Sequence, residues 1–111
     1  MKKKLFKNYI YEFTSNETKV LSSFAKQAVK QMETDDRLTR EVKTFQSIID
    51  KLNESSDKVK LTKEEKTKLV FQLNENVKHL QKKTDNAWFL TKWFYKNMLN
   101  QYKSLLTTLN N

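Results

Sequence analysis

The residues that could carry chemistry are few. His79 is the only imidazole in the 111-residue chain, and Glu75 stands one helical turn before it. An imidazole and a carboxylate at i and i+4 can supply two ligands to a zinc ion. The chain has no second histidine and no cysteine to complete the shell, so no metal site is assigned. No serine or threonine has an evident base beside it, and the carboxylates are scattered among lysines as surface ion pairs. Phosphate-cradling loops and nucleophile elbows lean on glycine, of which there is none. The chain reads as a non-enzyme without a cofactor.

Chemistry of a different kind is concentrated in "NAWFLTKWFYKNM", residues 86–98, which holds both tryptophans. On a helix, Trp88, Phe94, Tyr95, Met98, Leu99, Tyr102, Leu105, Leu106 and Leu109 share a broad apolar face. Phe89 and Trp93 lie off it, four residues apart, among Lys92 and Lys96. Aromatic residues at helical spacing most often belong to a core, so the first expectation is that other helices bury both rings. The second is an exposed anchor, Phe89 and Trp93 with Lys92 and Lys96, of the kind that dominates protein interfaces or stacks on unpaired bases.

The segment "HLQKKT" (His79, Lys82, Thr84) resembles the H-x-x-K-G-S/T stretch of histidine-containing phosphotransfer domains, which are four-helix bundles of about this length. The resemblance implies an exposed His79 that accepts a phosphoryl group and a Lys82 that helps hold it. It spans six residues. Lys83 stands where that family has the glycine that admits the partner, and Gln81 replaces the usual leucine.

The net charge is +9, yet all but Arg37 and Arg40 of the 22 basic residues are lysine. Lysine and asparagine together follow the codon usage of an AT-rich genome. Arginine is the preferred residue for bidentate phosphate and guanine contacts, so its scarcity argues against sequence-specific reading. Loose phosphate attraction stays open, with Lys78, Lys82, Lys83, Lys92, Lys96 and Lys103 as the residues that would carry it.

The elements that position these groups are helical. Absence of both glycine and proline removes the favoured hairpin turns, and the chain reads as all-α. Residues 1–13 pattern as a short basic amphipathic helix, with Leu5, Phe6, Tyr9, Ile10 and Phe13 on one stripe. Thr14 or Ser15 with Glu17 or Thr18 offers a capping box, followed by Leu21, Phe24, Ala28 and Met32. Thr34 and Asp35 repeat the N-cap chemistry. Leu38, Val42, Phe45, Ile49 and Leu52 then recur at 4-3-4-3. Residues 53–61 form the main loop. Thr62 and Glu65 close a second box, with Leu61 as its staple, before Leu69 or Val70, Leu73, Val77 and Leu80.

Capping signals at 34–35 and 84–85 fall inside otherwise unbroken apolar periods. They favour an antiparallel bundle of four to five helices over two long helices in a coiled-coil hairpin. Residues 1–111 are read as a single helical domain. "MKKKLFK" begins as a signal peptide would, but Lys7, Asn8 and Glu12 interrupt any apolar run. A cytoplasmic location is expected, and membrane contact through Met1–Phe13 is not. By size, charge and helical class the chain is similar to bacteriocin immunity proteins. The expectation is a small interaction protein that binds another protein, as an inhibitor, immunity factor or regulator of an AT-rich bacterium or its mobile elements. A homodimer is compatible with it, and nonspecific nucleic-acid binding is the alternative.

Overall fold

In the computed structural model the described residues are 8–54 and 58–110. The order of elements is β1 (Asn8–Tyr11), α1 (Ser15–Met32), a 3-10 turn (Asp36–Leu38), α2 (Thr39–Glu54), β2 (Val59–Thr62), α3 (Lys63–Asp85) and α4 (Phe89–Asn110). Four helices make the protein all-α, with one small antiparallel ribbon, β1 on β2. The chain divides into two compact units, Met1–Leu69 and Val70–Asn111.

The ribbon corrects the reading of residues 1–13 as a helix. Asn8–Tyr11 is a strand paired with Val59–Thr62, of which Val59–Leu61 fall in the stretch 53–61 read as loop; residues 1–7 and 55–57 lie outside the described residues. Tyr9 faces Leu61 and Tyr11 faces Val59 across the ribbon. Tyr11, Val59 and Leu61 are buried, whereas Ile10 between them is exposed. That is the period of two expected of a half-buried strand. Tyr9, Tyr11 and Phe13 carry the signal in the sequence, and the Tyr11 and Phe13 rings stack at 5.3 Å. Burial, with the neighbouring Tyr9 phenol adding to it, pushes the Tyr11 phenol up to about 12. No tight turn joins the two strands. The α1–α2 pair lies between them in sequence, so the ribbon needs no glycine.

Each helix start in the first unit is chemically marked. The Glu17 amide donates to Thr14 Oγ1 at 3.0 Å while the Thr14 amide donates to Glu17 Oε1 at 2.8 Å, a complete capping box. Leu21, Phe24, Ala25, Ala28 and Met32 are the buried face of α1, which packs on α2. The break at 33–38 is real. Asp35 leaves the helix with extended backbone, accepts from the Arg37 amide at 3.0 Å and holds the Arg37 guanidinium at 2.9 Å. On α2 the buried residues are Phe45, Ile48 and Leu52, with Ile49 only half-buried. The seam therefore turns by three residues after Phe45, not four.

Glu65 is the one buried carboxylate among the described residues, which corrects the view that all carboxylates here are surface partners of lysine. Its Oε1 accepts from the Thr62 amide at 2.8 Å and from Lys51 Nζ at 2.7 Å, and its Oε2 accepts from Ser47 Oγ at 2.6 Å. The Glu65 amide donates back to Thr62 Oγ1 at 3.1 Å, so the second capping box forms as well. Glu41–Lys68 at 2.7 Å and Arg40–Glu64 at 3.2 Å extend the polar seam between α2 and the first turns of α3. Burial alone would push the Glu65 carboxyl up, but the Lys51 ammonium, the Ser47 hydroxyl and the Thr62 amide together hold it below its usual value.

A depressed folded-state value means that Glu65 stabilises the fold fully above the unfolded carboxyl's pKa of about 4.5 and loses this as pH falls further. Glu65→Ala should cost about 2–4 kcal/mol at neutral pH, because it breaks a buried ion pair and a helix cap together. Glu64→Ala, at an exposed pair, should cost no more than about 1 kcal/mol. Urea unfolding at pH 7 and pH 3.5 checks both. The gap between wild type and Glu65→Ala should shrink at the lower pH.

Candidate functional site

The second unit contains the end of α3, the joint at residues 86–88 and all of α4. Leu73, Leu80 and Thr84 are buried on α3, and the Thr84 hydroxyl donates to the Leu80 carbonyl at 2.7 Å. Past Thr84 the helix stops as its capping signal suggests. The Ala87 amide reaches the Thr84 carbonyl at 3.3 Å, and Asn86 Nδ2 donates to the Lys82 carbonyl at 3.1 Å. Terminal carbonyls of α3 are thus met by side chain and turn, with no left-handed residue. α4 then starts at Phe89, and its first turn carries no carboxylate.

On α4 the buried residues among those described are Leu99, Leu105 and Leu109, in its later turns. Over the first turns the rings are in solvent: Trp88 is 74%, Phe89 71%, Trp93 70% and Phe94 54% exposed. Burial of Phe89 and Trp93 was the first expectation, and the structure places both outside. Trp88 and Phe94, assigned to the apolar face, are corrected too. They continue that face in phase, but among the described residues before Leu99 only Tyr95 and Met98 on it are half-buried. Neighbouring rings support one another: Trp88 meets Phe89 at 5.8 Å between centroids, and Phe94 meets Tyr95 at 6.0 Å, within the usual range for aromatic pairs. Each such side chain left in water forgoes about 1.5–3 kcal/mol that burial would contribute.

Two sides of α4 result. Phe89, Trp93 and Lys96 follow one another at i, i+4 and i+7 as a ridge, with the half-buried Lys92 at its flank. Trp88, Thr91 and Tyr95, at i, i+3 and i+7, line a cleft of about 440 Å³ whose other wall is Lys82, Lys83 and Asn86. The cleft brings together residues that the sequence assigned to different roles. Its signal was the capping chemistry at 84–85, which marks where the chain turns.

Lys82, Lys83, Lys96 and Lys103 are exposed and have no carboxylate partner among the described residues, and Lys92 has none either. Lys78 differs, pairing with Glu75 at 3.3 Å. Both arginines are engaged, Arg37 with Asp35 and Arg40 with Glu64. His79 is exposed on α3, off the Leu73–Leu80 side. No cluster of three or more potential metal ligands occurs among the described residues, and no helix among them is long and apolar enough to cross a membrane. No family model matches the sequence, and neither a curated protein nor a solved structure shows detectable similarity to it.

The double change Phe89→Ala with Trp93→Ala should leave unfolding free energy within about 0.5–1 kcal/mol of wild type, as substitutions at solvent-exposed positions do. Leu99→Ala, a far smaller truncation but at a buried position, should cost about 2–5 kcal/mol. Parallel urea melts decide. A loss of several kcal/mol from the double change would show that the ridge is part of the core.

Proposed function

We propose that this chain is a small non-enzymatic interaction protein that binds another protein through the Phe89–Trp93 ridge, with Lys92 and Lys96 steering the approach. Its partner relation is of the inhibitory, immunity or regulatory kind, and its place of action is the cytoplasm. The observation that carries the reading is the exposure of two large rings on one ridge of α4, away from the residues that hold the helix in place. Aromatic anchors rimmed by cationic side chains supply most of the binding energy in many interfaces. Nonspecific nucleic-acid binding through the unpaired lysines is the competing reading, and salt separates the two. Phosphate-driven binding collapses as counterions accumulate, whereas an aromatic anchor is little screened.

A photo-reactive side chain placed at position 93 tests this in the native cell, with Lys26 on α1 as the control site. The expected result is a discrete protein adduct from position 93 only, which persists in salt of about 0.5 M. Phe89→Ala should reduce adduct formation about 30-fold, as loss of an interface hot spot does. Adducts that consist of nucleic acid, or that form equally from both positions, would overturn the reading.

A further inference from the structure

The cleft at the α3–α4 joint is a second feature on the other side of α4 from the ridge, and the docking reading does not use it. Its volume of about 440 Å³ lies within the range of small-molecule sites. Its walls divide by chemistry. Lys82 and Lys83 line the α3 wall, neither paired with a carboxylate among the described residues. Of the acidic residues on α3 near them in sequence, Asp85 Oδ1 accepts from Gln81 Nε2 at 3.2 Å, and Glu75 pairs with Lys78. From residue 86 to the end the sequence contains no acidic residue at all. Trp88 and Tyr95 line the α4 wall, each in ring contact with its neighbour, Phe89 and Phe94. Between the walls, Asn86 spends its Nδ2 on the Lys82 carbonyl, and its Oδ1 and the Thr91 hydroxyl remain to meet a polar ring edge.

We propose that this cleft binds a nucleotide, its phosphate on Lys82 and Lys83 and its base against Trp88 and Tyr95. Two charges and two rings in one cleft ask for a ligand that has both an anion and a planar face. A lipid headgroup phosphate would satisfy the lysines and leave the rings uncovered. A neutral sugar would cover a ring and leave the lysines unanswered. A nucleotide meets both, either free or as one unit of a single strand, since base stacking on aromatic side chains beside basic residues is common to both. This shares lysine chemistry with the competing nucleic-acid reading, but it places the contact in one cleft built by named residues.

The test uses the full chain with Trp93→Phe, which leaves Trp88 as its single tryptophan and therefore a reporter within the cleft. Adenosine 5′-monophosphate, an oligothymidylate and phosphatidylglycerol vesicles are titrated separately at low ionic strength while Trp88 emission is followed. The expected result is saturable quenching by the mononucleotide, by the oligonucleotide or by both, weakened about tenfold or more by Lys82→Gln with Lys83→Gln. Saturation by the mononucleotide assigns the source as a free nucleotide, and saturation by the oligonucleotide alone assigns a strand. Oligonucleotide binding that the double lysine change leaves intact would overturn the cleft while sparing general attraction by the remaining lysines. No saturable response to either nucleotide probe, with or without a response to vesicles, would overturn it outright.

Discussion

The Glu65 carboxylate is where three elements of the first unit meet. It accepts from the Thr62 amide at the end of β2, closes the cap of α3, and takes Ser47 and Lys51 from α2. Because β2 runs straight into α3 with no intervening loop, fixing that junction also fixes the ribbon's register. Val59 and Leu61 then point inward, and β1 has one way to pair that buries Tyr11 beside them. A slip of one residue would turn Lys60 and Thr62 to the core. The same carboxylate would be costly if any of its partners were missing, since a buried charge without its hydrogen bonds is strongly destabilising. Its position therefore selects one arrangement of α2, β2 and α3 from the several that the apolar stripes alone would allow.

Much of this was legible because it is local. The boxes Thr14–Glu17 and Thr62–Glu65 are written in four consecutive residues each, and both form with the expected reciprocity. The helix breaks at Asp35 and near Asp85 were readable for the same reason, and they decide for four helices over two. What was not legible depends on a distant partner. Residues 8–11 became a strand because residues 59–62 were there to pair with them, after about fifty intervening positions. Absence of glycine argues against tight hairpins, and it is silent about a ribbon whose strands are joined through a pair of helices. The same limit explains Glu65. Its spacing announced a cap, but only the fold brings Ser47 and Lys51 to it.

The aromatic segment shows a second limit. Helical periodicity reports which side chains share a face, and on that level the separation of Phe89 and Trp93 from the Trp88–Leu109 face holds. It does not report how far along the helix that face is covered. Leu99, Leu105 and Leu109 are buried, whereas Trp88 and Phe94, in phase with them, are in solvent. A single helix can thus keep one apolar period and change its environment midway, and the chain carries no local mark at the change.

This division of labour within α4 bears on what its first turns can do. The later turns carry the burial, so the exposed rings are free of any duty to the core. At the joint, Asn86 and the Ala87 amide meet terminal carbonyls of α3, and the turn forms without a left-handed residue. Trp88 rests on Phe89 and Tyr95 on Phe94. Lysines along both sides give this apolar surface a positive surround. An arrangement in which stability resides at one end of a helix and unburied aromatic surface at the other is poorly explained by folding alone.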